Sequence, residues 1–223
     1  MFVKFLKKGY KDSRPLLDYL VSIMGLLLLT PLFIVVGIVT KLTSEGPVFY
    51  TQERVGKGGR LFEIIKFRTM YTDAELKTGP IWAGRDDPRI TPFGRFLRKT
   101  HIDELPQLIN VIMGEMSIIG PRPERPFFVK EFKENIHGYT KRLAVKPGIT
   151  GLAQCYHKYD ETIQDVQIKL NYDVLYIKKM CMLLDLKILL LTVKVSVLGE
   201  VTPEPVKLHL SERQERVVLA TAA

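Results

Sequence analysis

The sequence is poor in cysteine, tryptophan and acidic residues. Cys155 and Cys181 are the only two cysteines in 223 residues. With no metal-type spacing and no possible framework of bridges, they exclude a disulfide scaffold and a thiolate zinc site and suit a reducing cytoplasmic setting. Trp82 is the single tryptophan and there are four histidines; neither type forms a motif. Acidic residues number 24 against 33 Lys and Arg, a formal net charge of +9. That balance favours anionic partners, whether phosphorylated small molecules, an anionic lipid surface or nucleic acid. There is no internal repeat and no low-complexity tract. The length fits one domain with appendages, or at most two small domains.

What is present begins with an uncharged apolar run from Tyr19 to Thr40, enough for one helix to cross a bilayer core. It is too long for the hydrophobic region of a signal peptide. Lys4, Lys7, Lys8, Lys11 and Arg14 precede it, while Lys41, Arg54, Lys57 and Arg60 follow. Orientation depends on charge asymmetry, and here there is little. Pro31 lies near the middle of the run after Thr30, where it removes one backbone hydrogen bond and bends the helix. Ser22 and Thr30 are placed to satisfy freed carbonyls. A kinked spanning helix and a re-entrant segment that returns to the same face both fit. The second would place both basic flanks on the anionic cytoplasmic leaflet.

Beyond a turn at Gly46-Pro47, β-prone runs at Val48–Gln52 and Leu61–Phe67 flank Gly56-Lys57-Gly58-Gly59 and predict a hairpin. Tyr71–Pro92 reads as loop with a short helix at Thr72–Lys77, and Thr91–Lys99 as a short basic helix. Leu105, Leu108, Ile109 and Ile112 predict a helix over Asp103–Met113, and Pro106 fixes its start near residues 102–104. Pro121-Arg122-Pro123 is rigid and extended, Phe127–Asn135 helical, Lys146–Gly151 a turn, and Thr162–Lys179 a long amphipathic helix. Met180–Leu198 is apolar but carries Asp185, Lys187 and Lys194, which argues for an interfacial or packed helix rather than a second crossing. The expected fold class is α+β, mostly helical with a short β-hairpin, an N-terminal membrane helix and interfacial amphipathic helices. The expected division is residues 1–45 as basic N-terminus and membrane helix, 46–200 as the cytoplasmic catalytic domain, and 201–223 as a C-terminal tail.

Asp103-Glu104 is the chemical centre. Taken alone, the pair reads first as a helix cap. Neighbouring cations change that weighting. Lys66 and Arg68 share one face of a strand, Arg95 and Arg98 share one face of a helix, and Arg122 sits between two prolines. Together they suit a diphosphate, with arginine matched to bidentate phosphate recognition. A carboxylate at a helix start, beside bound phosphate, is placed to act as a nucleophile in phosphoryl transfer. Two adjacent carboxylates facing a diphosphate call for a divalent cation, for which Mg²⁺ is the usual partner. His101 is close enough to act as a base but reads first as a surface residue.

The sequence resembles the bacterial sugar transferase family, the small monotopic phosphoglycosyl transferases. The motifs that carry the resemblance are Gly46-Pro47-Val48-Phe49, Gln52-Glu53-Arg54-Val55-Gly56, Lys66-Phe67-Arg68-Thr69-Met70, Asp87-Pro88-Arg89-Ile90-Thr91, Gly94-Arg95-Phe96-Leu97-Arg98-Lys99, Asp103-Glu104-Leu105-Pro106-Gln107, Gly120-Pro121-Arg122-Pro123 and Lys146-Pro147-Gly148-Ile149-Thr150-Gly151. They occur in family order between about Arg14 and Leu198. The resemblance implies that Asp103 attacks the sugar-linked phosphate of a UDP-sugar, that UMP leaves, and that undecaprenyl phosphate (a polyprenol phosphate) takes the phosphosugar from the enzyme. It also implies that Glu104 helps Asp103 hold Mg²⁺ and that the membrane helix is re-entrant and broken at Thr30-Pro31, Thr30 standing where the family usually has Ser. Arg98 and Arg122 match family arginines, and Arg142 and Asp173 resemble further substrate-binding positions. The expected location is the cytoplasmic face of the bacterial inner membrane, with no nucleic-acid partner and a homodimer left open. The resemblance implies the short form of the family, expected to lack the additional N-terminal membrane helices of larger relatives.

A basic membrane-surface adaptor, or an anchored nucleic-acid-binding protein, is the competing class, and it would not need Asp103 and Glu104. Direct transfer in a ternary complex is the competing mechanism. The sugar carried and the glycan built are not legible; specificity is expected in loops such as Thr72–Arg85 and His157–Gln167.

Overall fold

The computed structural model describes residues 2–72, 74, 79, 87–156 and 162–198. Trp82, most of the predicted Thr72–Lys77 helix, most of the Thr72–Arg85 loop, residues 157–161 of the second specificity loop and the tail over 201–223 lie outside the described residues; the rest of His157–Gln167 caps and begins a helix.

Helix α1 runs Phe2–Thr43 with Pro15 and Pro31 inside it, and its segment Asp12–Thr43 is long and apolar enough to cross a membrane. Within the apolar run, Thr30 Oγ1 donates to the Leu26 carbonyl at 2.8 Å, a kind of back-bond that bends helices, as an internal proline such as Pro31 does. Ser22 does not assist; its hydroxyl is buried without a partner.

Strands β1 (Phe49–Val55) and β2 (Leu61–Phe67) form the expected antiparallel hairpin, with Phe49 opposite Phe67 and Val55 opposite Leu61. The first strand reaches Val55, three residues beyond the apolar run, because β2 supplies cross-strand partners that Glu53 and Arg54 would not find alone. Phe67 anchors the hairpin to α1: its ring lies 5.2 Å from those of Phe33 and Phe49, and Val36 and Leu97 complete the cluster.

Helix α2 (Pro92–Thr100) begins where Thr91 Oγ1 accepts the Gly94 amide at 2.9 Å, with proline at the first helical position. It ends at His101, the one described non-glycine residue with positive φ (57°). The predicted Asp103–Met113 helix is divided. Ile102–Glu104 is a 3-10 turn, and α3 proper is Gln107–Ile112. Pro106 has no amide to donate, so the regular helix starts after it. Asp103 and Glu104 therefore lie one turn before the helix rather than at its N-terminus.

Strand β3 (Ser117–Ile119) pairs in parallel with β4 (Gly148–Thr150), so the stretch predicted as a turn at Lys146–Gly151 contains a short strand. Helix α4 (Pro126–Asn135), a 3-10 turn over Tyr139–Ala144, and helices α5 (Leu152–Tyr156), α6 (Ile163–Lys179) and α7 (Met182–Leu198) complete the described chain. Helix α6 starts at a capping box between Thr162 and Asp165. One core lies between α4, the Tyr139–Ala144 turn and α6, built on Phe128, Phe132, Tyr139 and Leu170. A second joins α5, α6 and α7 through Leu152, Tyr176 and Ile188.

Candidate active site

Lys66 is the next-to-last residue of β2, and a side chain from α3 fixes the strand that carries it. Asn110, fully buried, accepts the Ile65 amide on Oδ1 at 3.0 Å and donates from Nδ2 to the Glu63 carbonyl at 2.7 Å. This amide fork satisfies the outer edge of β2 as another strand would. A buried Asn in the apolar run Leu108–Ile112 was the available sequence signal, since such a group needs partners.

Opposite Lys66 stands Glu104. Lys66 Nζ donates to Glu104 Oε1 at 2.7 Å, and Arg122 donates from Nη2 to Oε1 at 2.5 Å and from Nη1 to Oε2 at 3.0 Å. The Lys66 and Glu104 side chains are 16% and 12% exposed, whereas that of Arg122 is 35% exposed, so the cluster opens toward solvent on the arginine side. Two prolines limit the backbone at Arg122, and the β3–β4 pair holds the segment below it. Gly148 N–H donates to the Pro121 carbonyl at 3.0 Å and Gly120 N–H to that of Thr150 at 2.8 Å. A Cβ on Gly120 would come within 2.7 Å of the Lys146 carbonyl oxygen, so this approach requires glycine.

Asp103 is 7% exposed, and its Oδ1 is buried with no hydrogen-bond partner. Burial, and then the adjacent Glu104 charge, push its pKa up to about 6, against the pull of Lys66, Arg98 and Arg122. Burial opposes ionisation of Glu104 too, but Arg122 and Lys66 outweigh it and hold that carboxyl well below the usual range. Arg98 faces Asp103 electrostatically while its Nε donates to Thr69 Oγ1 at 2.9 Å. Thr69, inside the Lys66–Met70 motif, thus orients a cation of the site without carrying charge itself.

The structure brings Lys66, Arg98, Asp103, Glu104 and Arg122 together. Arg68 is elsewhere: it closes the C-terminus of α1, donating to the Ser44 and Glu45 carbonyls at 2.8 and 2.7 Å and to Ser44 Oγ at 2.9 Å. Its guanidinium occupies the space where a Cβ on Gly46 (φ 118°) would sit. Arg95 is exposed on α2, as is His101 at its end. Arg142 and Asp173 pair behind the Pro121–Pro123 segment, away from the two carboxylates.

An unpartnered carboxylate oxygen in a cationic, mostly buried recess can attack an electrophile whose leaving group is an anion. Among the described residues no group of three or more His, Cys, Asp or Glu is arranged to hold a metal. Asp103 and Glu104 alone fit an ion that takes most of its ligands from phosphate and water, as Mg²⁺ does. Lys66 and Arg122 already bond both Glu104 oxygens, so an ion there would share Glu104 with these cations.

Comparison with known proteins gives a consistent picture. The family model for bacterial sugar transferases matches residues 10–199. The UDP-N-acetylgalactosamine-undecaprenyl-phosphate N-acetylgalactosaminephosphotransferase of Aeromonas hydrophila is 41% identical over 195 residues, covering 87% of this chain and 44% of that protein. The UDP-glucose:undecaprenyl-phosphate glucose-1-phosphate transferase of Klebsiella pneumoniae is 42% identical over 178 residues, covering 79% of this chain and 38% of that protein. The galactosyl transferase CpsE of Streptococcus agalactiae is 40% identical over 208 residues, covering 88% of this chain and 45% of that protein. The chain therefore spans less than half the length of these three relatives.

Proposed function

The chain belongs to the bacterial sugar transferase family, and on that premise we propose that it transfers a sugar 1-phosphate from a UDP-sugar to undecaprenyl phosphate through a covalent intermediate on Asp103. The observation that carries this reading is the buried, unpartnered Asp103 Oδ1 beside a Glu104 already neutralised by Lys66 and Arg122. An Asp103 oxygen bonds to the sugar-linked phosphorus as the bond from that phosphorus to the bridging oxygen breaks, and UMP leaves with that oxygen. An undecaprenyl phosphate oxygen then bonds to the same phosphorus. The Asp103–phosphorus bond breaks, restoring the carboxylate and releasing the polyprenyl-diphosphate sugar. Lys66, Arg98 and Arg122 stabilise the charge that builds on the phosphoryl oxygens and the departing phosphate. Glu104 and the Asp103 oxygen that does not attack would hold Mg²⁺, which supplies further neutralisation of the diphosphate.

The enzyme sits on the cytoplasmic face of the bacterial inner membrane, and α1 supports a re-entrant path. Arg14 is buried against Ser117 and Ile119 at one end. At the other end Thr40 is buried and Lys41 donates to the Gly46 carbonyl at 3.0 Å. Both ends of α1 therefore rest on one globular body. Between them Leu27 and Leu28 are more than 70% exposed. Lipid is the natural cover for that surface, and for exposed Phe96 on α2 and Leu183 and Leu190 on α7.

Mass spectrometry of enzyme quenched during turnover, with UDP-sugars, undecaprenyl phosphate and Mg²⁺, is expected to find a phosphosugar on Asp103. An adduct on another residue, or steady UMP release with none, would overturn the mechanism. For topology, Ser13→Cys and Thr43→Cys are both expected to resist an impermeant maleimide added outside intact spheroplasts and to react after permeabilisation. Labelling of only one from outside would replace the re-entrant path with a crossing.

A further inference from the structure

Behind Arg122, on the side away from Asp103, lies a second set of charges. Arg142 Nε donates to Asp173 Oδ2 at 2.9 Å, its Nη1 to the Tyr139 hydroxyl at 2.8 Å, and its Nη2 to the backbone carbonyl of Arg122 at 2.8 Å. Its guanidinium also lies 5.3 Å from the centre of the Tyr139 ring. The next acid along the segment, Glu124, accepts Lys169 Nζ at 2.6 Å, and its carbonyl accepts the Val55 amide at 2.9 Å. The Arg142 and Asp173 side chains are 3% and 2% exposed.

We infer that Arg142, braced by Asp173, is a positioning residue that acts on the reaction through Arg122 rather than by touching substrate. Its donors are committed in three directions, and neither it nor Asp173 has a surface that a ligand could reach. One of those bonds ends on the carbonyl of Arg122, the residue whose side chain clamps Glu104. Hydrogen-bonded from behind and flanked by prolines, the Arg122 backbone is fixed, so its guanidinium meets Glu104 and an incoming phosphate in one geometry. Lysine cannot replace this brace: one ammonium cannot serve a carboxylate, a phenol and a carbonyl lying in different directions. A displacement of about 1 Å at such a site costs on the order of 10²-fold in rate.

This inference rests on the proposed role of Arg122, and a double-mutant cycle separates the two. UMP release and melting temperature are measured for the full chain, for Arg142→Lys, for Arg122→Ala and for the pair. Arg142→Lys is expected to lower kcat/KM roughly 10- to 100-fold, chiefly through kcat. In the Arg122→Ala background the same change is expected to cost less than about 2-fold, because the group it positions is gone. Multiplicative losses would mean that Arg142 meets the substrate itself. A lower melting temperature with unchanged kcat would leave it a stability element. Either result overturns the inference while the reading of Arg122 stands. If Arg122→Ala is as active as the unmodified chain, the reading of Arg122 fails and this inference with it. Should Arg142→Lys not fold, Asp173→Asn loosens the same brace without changing volume, and the same pattern is expected in its cycle with Arg122→Ala.

Discussion

At the root of α1, Asp185 accepts from the Tyr10 and Tyr176 hydroxyls, and Arg14 Nε lies 3.3 Å from it. Arg14 also donates to Ser117 Oγ and to the Ile119 carbonyl, and Asp18 accepts from Ser117 Oγ at 2.6 Å. At the 3-10 turn of Ile102–Glu104, Asp103 is as deeply placed, yet it keeps an oxygen with no partner. Both clusters bear the cost of desolvation. The first offsets it with a full set of hydrogen bonds and joins the membrane helix to β3 and α7. The second leaves part of it uncompensated at one atom. In this pair of clusters, the charge that joins elements of the fold is satisfied, whereas the one proposed to react is left short by one partner.

That contrast can be broken at several points. The largest effect is expected from Asp103→Asn: turnover falls by at least about 10⁴-fold, measured as UMP release, while the melting temperature rises. The rise follows from the sign of the shift. A carboxyl raised to about 6 destabilises the fold when ionised, in full above that pH, and the amide carries no such charge. Arg14→Ala should behave in the opposite way, losing about 3–5 kcal/mol of stability by stranding Asp185, as read by denaturant titration in detergent. If Arg14→Ala proves harmless, the anchoring cluster is not structural. Glu104→Gln is expected to lower the rate about 10²-fold, because Lys66 and Arg122 lose the anion that orients them. The smallest effect concerns pH. In the unmodified enzyme kcat/KM should fall about tenfold per unit below an inflection near 6 as Asp103 takes up its proton. In Glu104→Gln that inflection should move lower, because the Glu104 charge helps raise it. An inflection that stays in place would assign it to another group.

The residues that announced themselves did so through local chemistry. Glycines marked the hairpin, Thr91-Pro92 and Thr162 marked helix starts, and Asp103-Glu104 with Lys66, Arg98 and Arg122 marked a place for anions. Strand alternation put Arg68 on a face but could not say that the end of α1 comes to that face. The three-residue strands β3 and β4 are too short for a period-2 signal. Asp185 read as a charge unsuited to a membrane crossing, and its partners Tyr10 and Arg14 lie at the far end of the chain, so only the completed fold identifies its role. The split of the predicted Asp103–Met113 helix was half visible: Pro106 limited the start, but nothing local required a 3-10 turn before it.

Asn110 has a further consequence for life in a crowded bilayer. Proteins confined to two dimensions collide repeatedly in similar orientations, and an open strand edge would invite one hairpin to pair with the next. By occupying the outward-facing amide of Ile65 and carbonyl of Glu63, one carboxamide takes two of the groups that a neighbouring strand would need. The group that sets the position of Lys66 thereby also narrows what a second hairpin could pair with.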